Sequence, residues 1–473
     1  MPIEVNRARV ADFLVQHLEG IDDTSTFYRQ IHRLPPAHLL EITPGTFTKR
    51  RYWELTPREE LVLDSDAEYA RAFWNELSIA VGRRHRDTRK TAVMLSGGLD
   101  SSSIVAAALE LDPEERRAIR TISIVADREP HCIESKCIEA VIAEDSIKSR
   151  VLSIDHLAAY QDPLLDSLRG STDPFDFWMT LPRMIYLASH RAGFTRVIDG
   201  VDGDLVVSHG ASLIASLLRQ GRCLRAMEEA RGQSHFHDRE RSAIDILVAA
   251  ARQAWVPERL RKGKRSRAQE TWLANHLEGS VIHPDFAVEV GLTDRLERLE
   301  AQRRSHLDDL RRDQANLISH PYTVAALERY HRAASAFGIE PLHPYFDREL
   351  VEFCLSLPLD QRVKCGWTKY VVRQAAQGKL PTDVVWRKGD WRRLNTEVTE
   401  RVVAFHRERI GDLIASGLGD GLKGWVDEGL VRASWEAYLG NAGRDATEVV
   451  WQVAALAMWL EGTGSKKASG GLI

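Results

Sequence analysis

Cysteine is scarce in this chain. Five occur in 473 residues, Cys132, Cys137, Cys223, Cys354 and Cys365. No two form a Cys-x-x-Cys pair, so a zinc ribbon, a structural iron–sulfur site and a thioredoxin-type motif lack their ligands. An odd count at irregular spacing fits reduced thiols in a cytoplasmic protein. Long apolar runs are missing too. The longest, Val449 to Leu460, is interrupted by Gln452 and is short of the roughly 20 residues that span a bilayer; it predicts a buried C-terminal helix. The N-terminal MPIEVNRARVADF mixes acids and bases and has no apolar core of a secretory signal. No excess of one charge exists either, since 64 Lys and Arg face 68 Asp and Glu. That balance argues against a general nucleic-acid binder, and aromatic residues are not interleaved with basic ones as base stacking requires. Neither nucleic acid nor membrane is expected as a partner.

What is present reads as a soluble globular protein, 44% hydrophobic and 28% charged. Its length allows roughly two to three domains. The opening stretch differs from the rest. An amphipathic VADFLVQHLEG precedes two short predicted strands, LLEITPG and TFTKRRYWEL, around a Pro-Gly turn. This is too little for an independent domain and reads as a docking piece or the tail of something longer. From Asp64 onward strands alternate with helices. TAVML (91–95), TISIVA (121–126), SRVLSID and RVI are four strand candidates, and the alternation predicts a parallel sheet covered on both faces. From about Leu213 the chain reads as almost wholly helical. The basic run 258–269 is predicted to be a solvated helix end and loop.

The strongest local signal is Met94-Leu95-Ser96-Gly97-Gly98-Leu99-Asp100-Ser101-Ser102-Ser103. It sits at the end of a predicted strand and the start of a helix, where α/β proteins bind phosphate. Two glycines let the backbone approach an anion. The following amides, the serine hydroxyls and the helix N-terminus then face it. Asp100 can reach a Mg²⁺ that bridges phosphates. No Gly-Lys-Ser/Thr follows, so this is not a Walker A loop, nor does it have the dinucleotide Gly-x-Gly-x-x-Gly spacing.

SGGLDSS after an apolar strand resembles the loop of the PP-loop ATP pyrophosphatases. Within that group the chain resembles the synthetase domain of the asparagine synthetase family, whose relatives include β-lactam synthetases and lasso-peptide cyclases. Five landmarks carry the likeness in the family's order: RQIHRLPPAHLLEI…KRRYWEL, SGGLDSS, DGVDGDL, FGIEPLHPYFDRELVEFCLSLP and GWTKYVVRQAAQGKLPTDVVWRKGDW. The resemblance implies an α/β fold, a parallel PP-loop sheet flanked by helices with a largely helical C-terminal half. It implies residues 1–58 as a remnant or linker like the end of a glutaminase domain, 59–465 as the ATP-pyrophosphatase domain and 466–473 as a tail. It implies ATP and Mg²⁺ as cofactors. Ser96, Gly97, Gly98, Leu99, Ser101 and Ser102 would hold the pyrophosphate. Met94 and Ile124 would flank the adenine, with Asp199 and Gly200 near the nucleotide. Asp100 and Asp204 would bind Mg²⁺. Glu340 and Asp347 would shape the substrate side, Glu340 as a catalytic candidate. His343 and His209, beside these loops, read as packed histidines.

Three departures bear on function. The glutaminase nucleophile, a Cys after the initiator Met, has no counterpart in Met1-Pro2-Ile3. Ammonia or an amine would then be taken directly or supplied by a partner protein. Val201 stands where the family has a Glu in Ser-Gly-Glu-Gly-Ser-Asp-Glu. The family's charge-stabilising Lys corresponds to Lys388, or in another register to the position of Asp390. The implied activity is an AMP- and pyrophosphate-forming amide ligase resembling asparagine synthase. Its substrate would be aspartate or a specialised small-molecule or peptide carboxylate. The alternatives are a lasso-type macrolactam cyclase acting on a precursor peptide and a degenerate nucleotide-binding protein.

Overall fold

A computed structural model describes residues 4–85, 90–111, 119–127, 132–144, 147–175, 177–207, 210, 212–236, 241–256, 280–302, 309–388, 393–440 and 444–463. The basic run 258–269, His209, Asp390 and the tail 466–473 lie outside the described residues.

Nine strands are described. An N-terminal hairpin pairs β1 (His38–Thr43) with β2 (Thr46–Arg51), antiparallel. The central sheet is parallel, in the order β5-β4-β3-β6-β7, from β3 (Thr91–Met94), β4 (Arg120–Val125), β5 (Lys148–Ser153), β6 (Arg196–Ile198) and β7 (Glu340–Leu342). A small hairpin joins β8 (Val363–Lys364) to β9 (Trp367–Thr368). The four strands expected from the sequence are present. The fifth, β7, lies in a stretch the sequence reads as helical, and that expectation is corrected. Three residues with Pro341 at the centre give no strand pattern; an edge position explains why Pro is tolerated there, since only one side of the strand must supply ladder hydrogen bonds.

Alternate residues of the central strands feed two cores. Ala92, Ile122, Ile124 and Val197 point to one, which holds the helices Thr180–Arg191 and Arg444–Gly462. Val93, Val125 and Ile198 point to the other, with the helices Asp66–Arg84 and Leu99–Leu111. This is the period of two that a pleated strand imposes, and burial on both faces explains the strands' unbroken apolar character. Chain order places β3 at the centre, with β4 and β5 on one side and β6 and β7 on the other. The crevice between the C-terminal ends of β3 and β6 is therefore the topological switch point, where open α/β sheets bind ligands.

The opening stretch is divided. The helix Arg7–Leu14 and the residues after it are built into the core of the main body, where Val10, Phe13, Leu14 and Leu18 are buried with the C-terminal helix. The β1–β2 hairpin instead exposes Ile42 and Phe47. Beyond β6, the helices Leu213–Arg219, Cys223–Phe236 and Ala243–Trp255 enclose a third, smaller core with Val363 of β8.

Candidate active site

The glycine loop follows β3. Gly97 has φ +71°, and a side chain there would collide with the backbone carbonyl of Glu134; only glycine takes this turn without strain. Ser96 N and Oγ both meet Ser101 Oγ, at 3.2 and 2.9 Å, and Ser101 Oγ donates to the Gly98 carbonyl at 3.2 Å. The loop is thus closed on the first turn of the helix Leu99–Leu111. The hydroxyls of Ser102 and Ser103 are buried without a hydrogen-bond partner. Across the switch point, β6 leads into Asp199, Gly200 and a turn in which Asp202 adopts the left-handed conformation (φ +56°). The short helix Gly203–Val207 follows. Gly203 lies against Asp100 so closely that a Cβ would come within 2.5 Å of its carboxyl carbon.

These two loops bring Asp100 and Asp204 to one cation, Lys369. Its Nζ donates to both Asp100 oxygens at 2.9 Å and lies 2.5 Å from Asp204 Oδ1. The ammonium is almost wholly buried, at 1% exposure, whereas Asp204 is 35% exposed. Lys369 precedes the helix Tyr370–Ala376, itself in the left-handed conformation (φ +53°). Burial opposes the charge of Lys369, but Asp100 and Asp204 outweigh it, so its pKa is raised. Burial and the Asp204 charge push Asp100 up to about 6 against the pull of Lys369. Burial brings the nearby Arg373 down to about 10, with Asp100 pulling the other way. Asp204 is the partly exposed member, so a hard cation could reach its carboxylate from the open side while Asp100 stays buried against Lys369.

The residues fit Mg²⁺ and a nucleotide's phosphates. Two carboxylates converge, buried hydroxyls lack partners, and a glycine cradle opens a helix of 13 residues. Asp100 and Asp204 would hold the metal; Ser96 to Ser102 would take the phosphates. Among the described residues no cluster of three or more His, Cys, Asp or Glu side chains suited to a metal occurs, so phosphate oxygens and water would complete a magnesium shell.

Of the other expected residues, Met94 is partly buried against the core and Ile124 is fully buried. Asp199 is buried and engaged by His343, whose Nδ1 lies 2.8 Å from Asp199 Oδ1. The His343 ring also meets Tyr330 and His331 edge-on. Burial disfavours charge on His343 and Arg84 adds to that, but Asp199 and Asp202 prevail and raise its pKa above 6.5. Asp202 is itself pushed up to about 6 by burial and by Asp199. Gly200 packs on the backbone of Ser101, joining the two loops. Glu340 is not brought to this group. It begins β7, at the opposite end of the sheet, and pairs with Arg196 at 3.0 Å. Asp347 caps the helix Arg348–Ser356 and binds Arg83 and Arg84. Lys388 is exposed, with Nζ 4.9 Å from the centre of the Phe236 ring. Its neighbour Arg387 reaches the loop, donating to the Gly97 carbonyl at 3.1 Å.

Lys369 is the residue that sequence reasoning missed. It lies within the landmark GWTKYVVRQAA, 19 positions before Lys388, the lysine to which the resemblance points. The available signal was a charged residue opening a helix whose positions 371, 372, 375 and 376 are all apolar and buried.

Comparison with known proteins bears on this geometry. The asparagine synthase family profile matches residues 73–461. "Asparagine synthetase [glutamine-hydrolyzing] 3" of Bacillus subtilis is 23% identical over 392 residues, covering 81% of this chain and 58% of that protein. "Amidase chyE" of Penicillium rubens is 32% identical over 92 residues, covering 19% of this chain and 14% of its own. The chain thus spans less than two thirds of the length of these relatives.

Proposed function

The chain belongs to the asparagine synthase family, and from that premise we propose that it is an ATP-dependent, AMP-forming amide ligase. One observation carries the proposal: Asp100 and Asp204, from the loops on either side of the switch point, converge on the buried Lys369 beside a glycine loop. In the first step a substrate carboxylate oxygen bonds to the α-phosphorus of ATP. The bond from that phosphorus to the bridging oxygen breaks, and pyrophosphate leaves with the electron pair. In the second step ammonia or an amine bonds to the acyl carbon, loses a proton, and AMP departs. Mg²⁺, when bound, would supply positive charge where negative charge develops on the departing pyrophosphate.

The chain's residues position and neutralise. Backbone amides of 97–101 and the serine hydroxyls orient the phosphates, in the manner of a preorganised electrostatic site. Lys369 keeps the two carboxylates together and offsets half of their charge. Arg387 fixes the loop through the Gly97 carbonyl. Val201, where the resemblance places a Glu, offers no base for the amine. The test is pyrophosphate release from Mg·ATP with candidate carboxylates and hydroxylamine or ammonia. Asp100→Asn is expected to lower the rate by about 10² to 10³, the typical loss for one electrostatic group. Release that is unchanged in Asp100→Asn would overturn the assignment.

A further inference from the structure

Lys369 directly follows β9, so its place between Asp100 and Asp204 depends on where the β8–β9 hairpin is held. Lys364 pairs with Trp367, which leaves Cys365 and Gly366 as a two-residue turn. Both have positive φ, +51° and +79°, as the turns that match twisted strands require. Cysteine is strained in that conformation and keeps it only where its surroundings hold it.

The helix Cys223–Phe236 supplies that hold through Glu229, Gly232 and Phe236, whose spacing of three and four places them on one helix face. Glu229, 3% exposed, accepts from Cys365 N and Gly366 N at 3.0 and 2.8 Å, with one carboxylate oxygen for each. Two successive amides make a site for an anion, and hydrogen bonds to a carboxylate are stronger than neutral ones. Arg225 stands 3.9 Å from the same carboxylate, but its guanidinium pairs with Asp360. At Gly232 the two backbones touch, since a Cβ there would lie 2.1 Å from the Cys365 carbonyl oxygen. Phe236 stacks on Trp367 of β9, with ring centres 4.1 Å apart and planes at 26°. Turn and second strand are therefore both fixed to the helix. Past β9 the Thr368 carbonyl accepts from Arg373 Nε at 2.8 Å, which leaves little slack between the clamp and the Lys369 ammonium.

We infer that Glu229 is a positioning residue of the nucleotide site: it clamps the hairpin to the helix and so sets how tightly Lys369 holds Asp204 and Asp100. The inference rests on the assignment of those two carboxylates to Mg²⁺ in the ligase reading. A lysine pressed against Asp204 competes with a metal for that carboxylate. A lysine on a loosened hairpin competes less, and the metal gains what the ammonium gives up. Glu229 thus tunes magnesium binding through the hairpin.

The experiment reads magnesium binding without turnover. Thermal unfolding midpoints of the full chain are followed through a MgCl₂ titration for wild type, Glu229→Gln, Phe236→Leu, Lys369→Met and the combined Glu229→Gln, Lys369→Met variant. Glutamine keeps the shape of glutamate but has one acceptor oxygen where two amides each need one. Glu229→Gln is expected to tighten apparent magnesium affinity at least about fivefold, the lower end of coupling between distinct sites. Phe236→Leu, a milder lesion of the same clamp, should move it in the same direction. In the Lys369→Met background Glu229→Gln should add nothing, because the residue it acts through is gone. Phe13→Ala is the control, since Phe13 lies in a different core from Val363 of the hairpin; it should lower the midpoint and leave magnesium affinity where it was. Unchanged affinity in both clamp variants, an equal gain in Phe13→Ala, or a full Glu229→Gln effect on top of Lys369→Met would overturn the inference. Pyrophosphate release from the same proteins separates the two readings. Release with unaltered magnesium affinity sinks the clamp and leaves the ligase. A clamp effect on magnesium with no pyrophosphate from any carboxylate does the reverse.

Discussion

At the scale of single residues, the site turns on a lysine that binds what a metal also binds. Lys369 and its two carboxylates form a buried ionic group in which removal of the cation leaves like charges facing each other. Breaking such a group typically costs about 3–5 kcal/mol. Lys369→Met should therefore lower the unfolding midpoint, and Mg²⁺ should restore more stability to this variant than to the wild type, because a ligand of the native state stabilises it by mass action. Thermal unfolding with and without MgCl₂ checks this. An equal magnesium effect on both proteins would show that the triad does not share its carboxylates with the metal. Asp100 was legible in the sequence because its loop is contiguous, SGGLDSS after an apolar strand. Asp204 was legible from the Gly/Asp turn that follows RVI. Lys369 was not, because it lies 269 positions from Asp100, and the apolar helix it opens says that the residue is near the core but not which loop it meets.

At the scale of elements, the ends of β6 and β7 are joined by the Asp199–His343 pair. The two strands are 144 residues apart in sequence, so the pair also fixes where the loop 199–204 leaves the sheet. The folded pKa of His343 is raised above its unfolded 6.5. Its contribution to stability is then complete below 6.5 and is lost as pH rises through the higher folded value. His343→Asn should be destabilised relative to wild type, most at pH 6, with the difference shrinking towards pH 9. Paired thermal melts across that range test it, and a difference that grows with pH would contradict the assignment of charge. Element boundaries explain what the sequence disclosed here. β3 and β4 each carry four apolar or β-branched residues and read plainly as strands. β7 is three residues long with a proline, and its strand state comes from pairing with β6, not from its own composition. In the loop itself, Gly203→Ala would press a methyl group on the Asp100 carboxyl. The variant should fold but release pyrophosphate at least about tenfold more slowly, as a displaced electrostatic group is costly.

For the whole molecule, the two ends of the chain close one core. Phe27 meets Trp459 edge-on, with ring centres 5.4 Å apart, and Gln452 Nε2 donates to the Phe13 carbonyl at 2.6 Å. Around them, Asp12, fully buried, accepts from Arg9 and Arg295, and Glu19 pairs with Arg329. The sequence showed the parts of this arrangement, an amphipathic opening segment and an apolar run near the end. It did not show that they pack together, because amphipathicity records that a face is buried and not against what. The contact predicts that the opening segment is a structural member of the synthetase body. Phe13→Ala should cost about 3–5 kcal/mol, the usual loss for a buried aromatic. In urea it should move the midpoint with little change in slope, since the same surface is exposed on unfolding. If the opening segment were instead a tethered appendage, Phe13→Ala would leave the main transition in place and add only a small early one. The two behaviours are separated by following the fluorescence of a variant in which Trp459 is kept and the other eleven tryptophans are replaced by phenylalanine, with and without Phe13→Ala, together with far-ultraviolet circular dichroism, which reports the helices of the whole chain. A segment integral to the core makes the two curves coincide in both proteins.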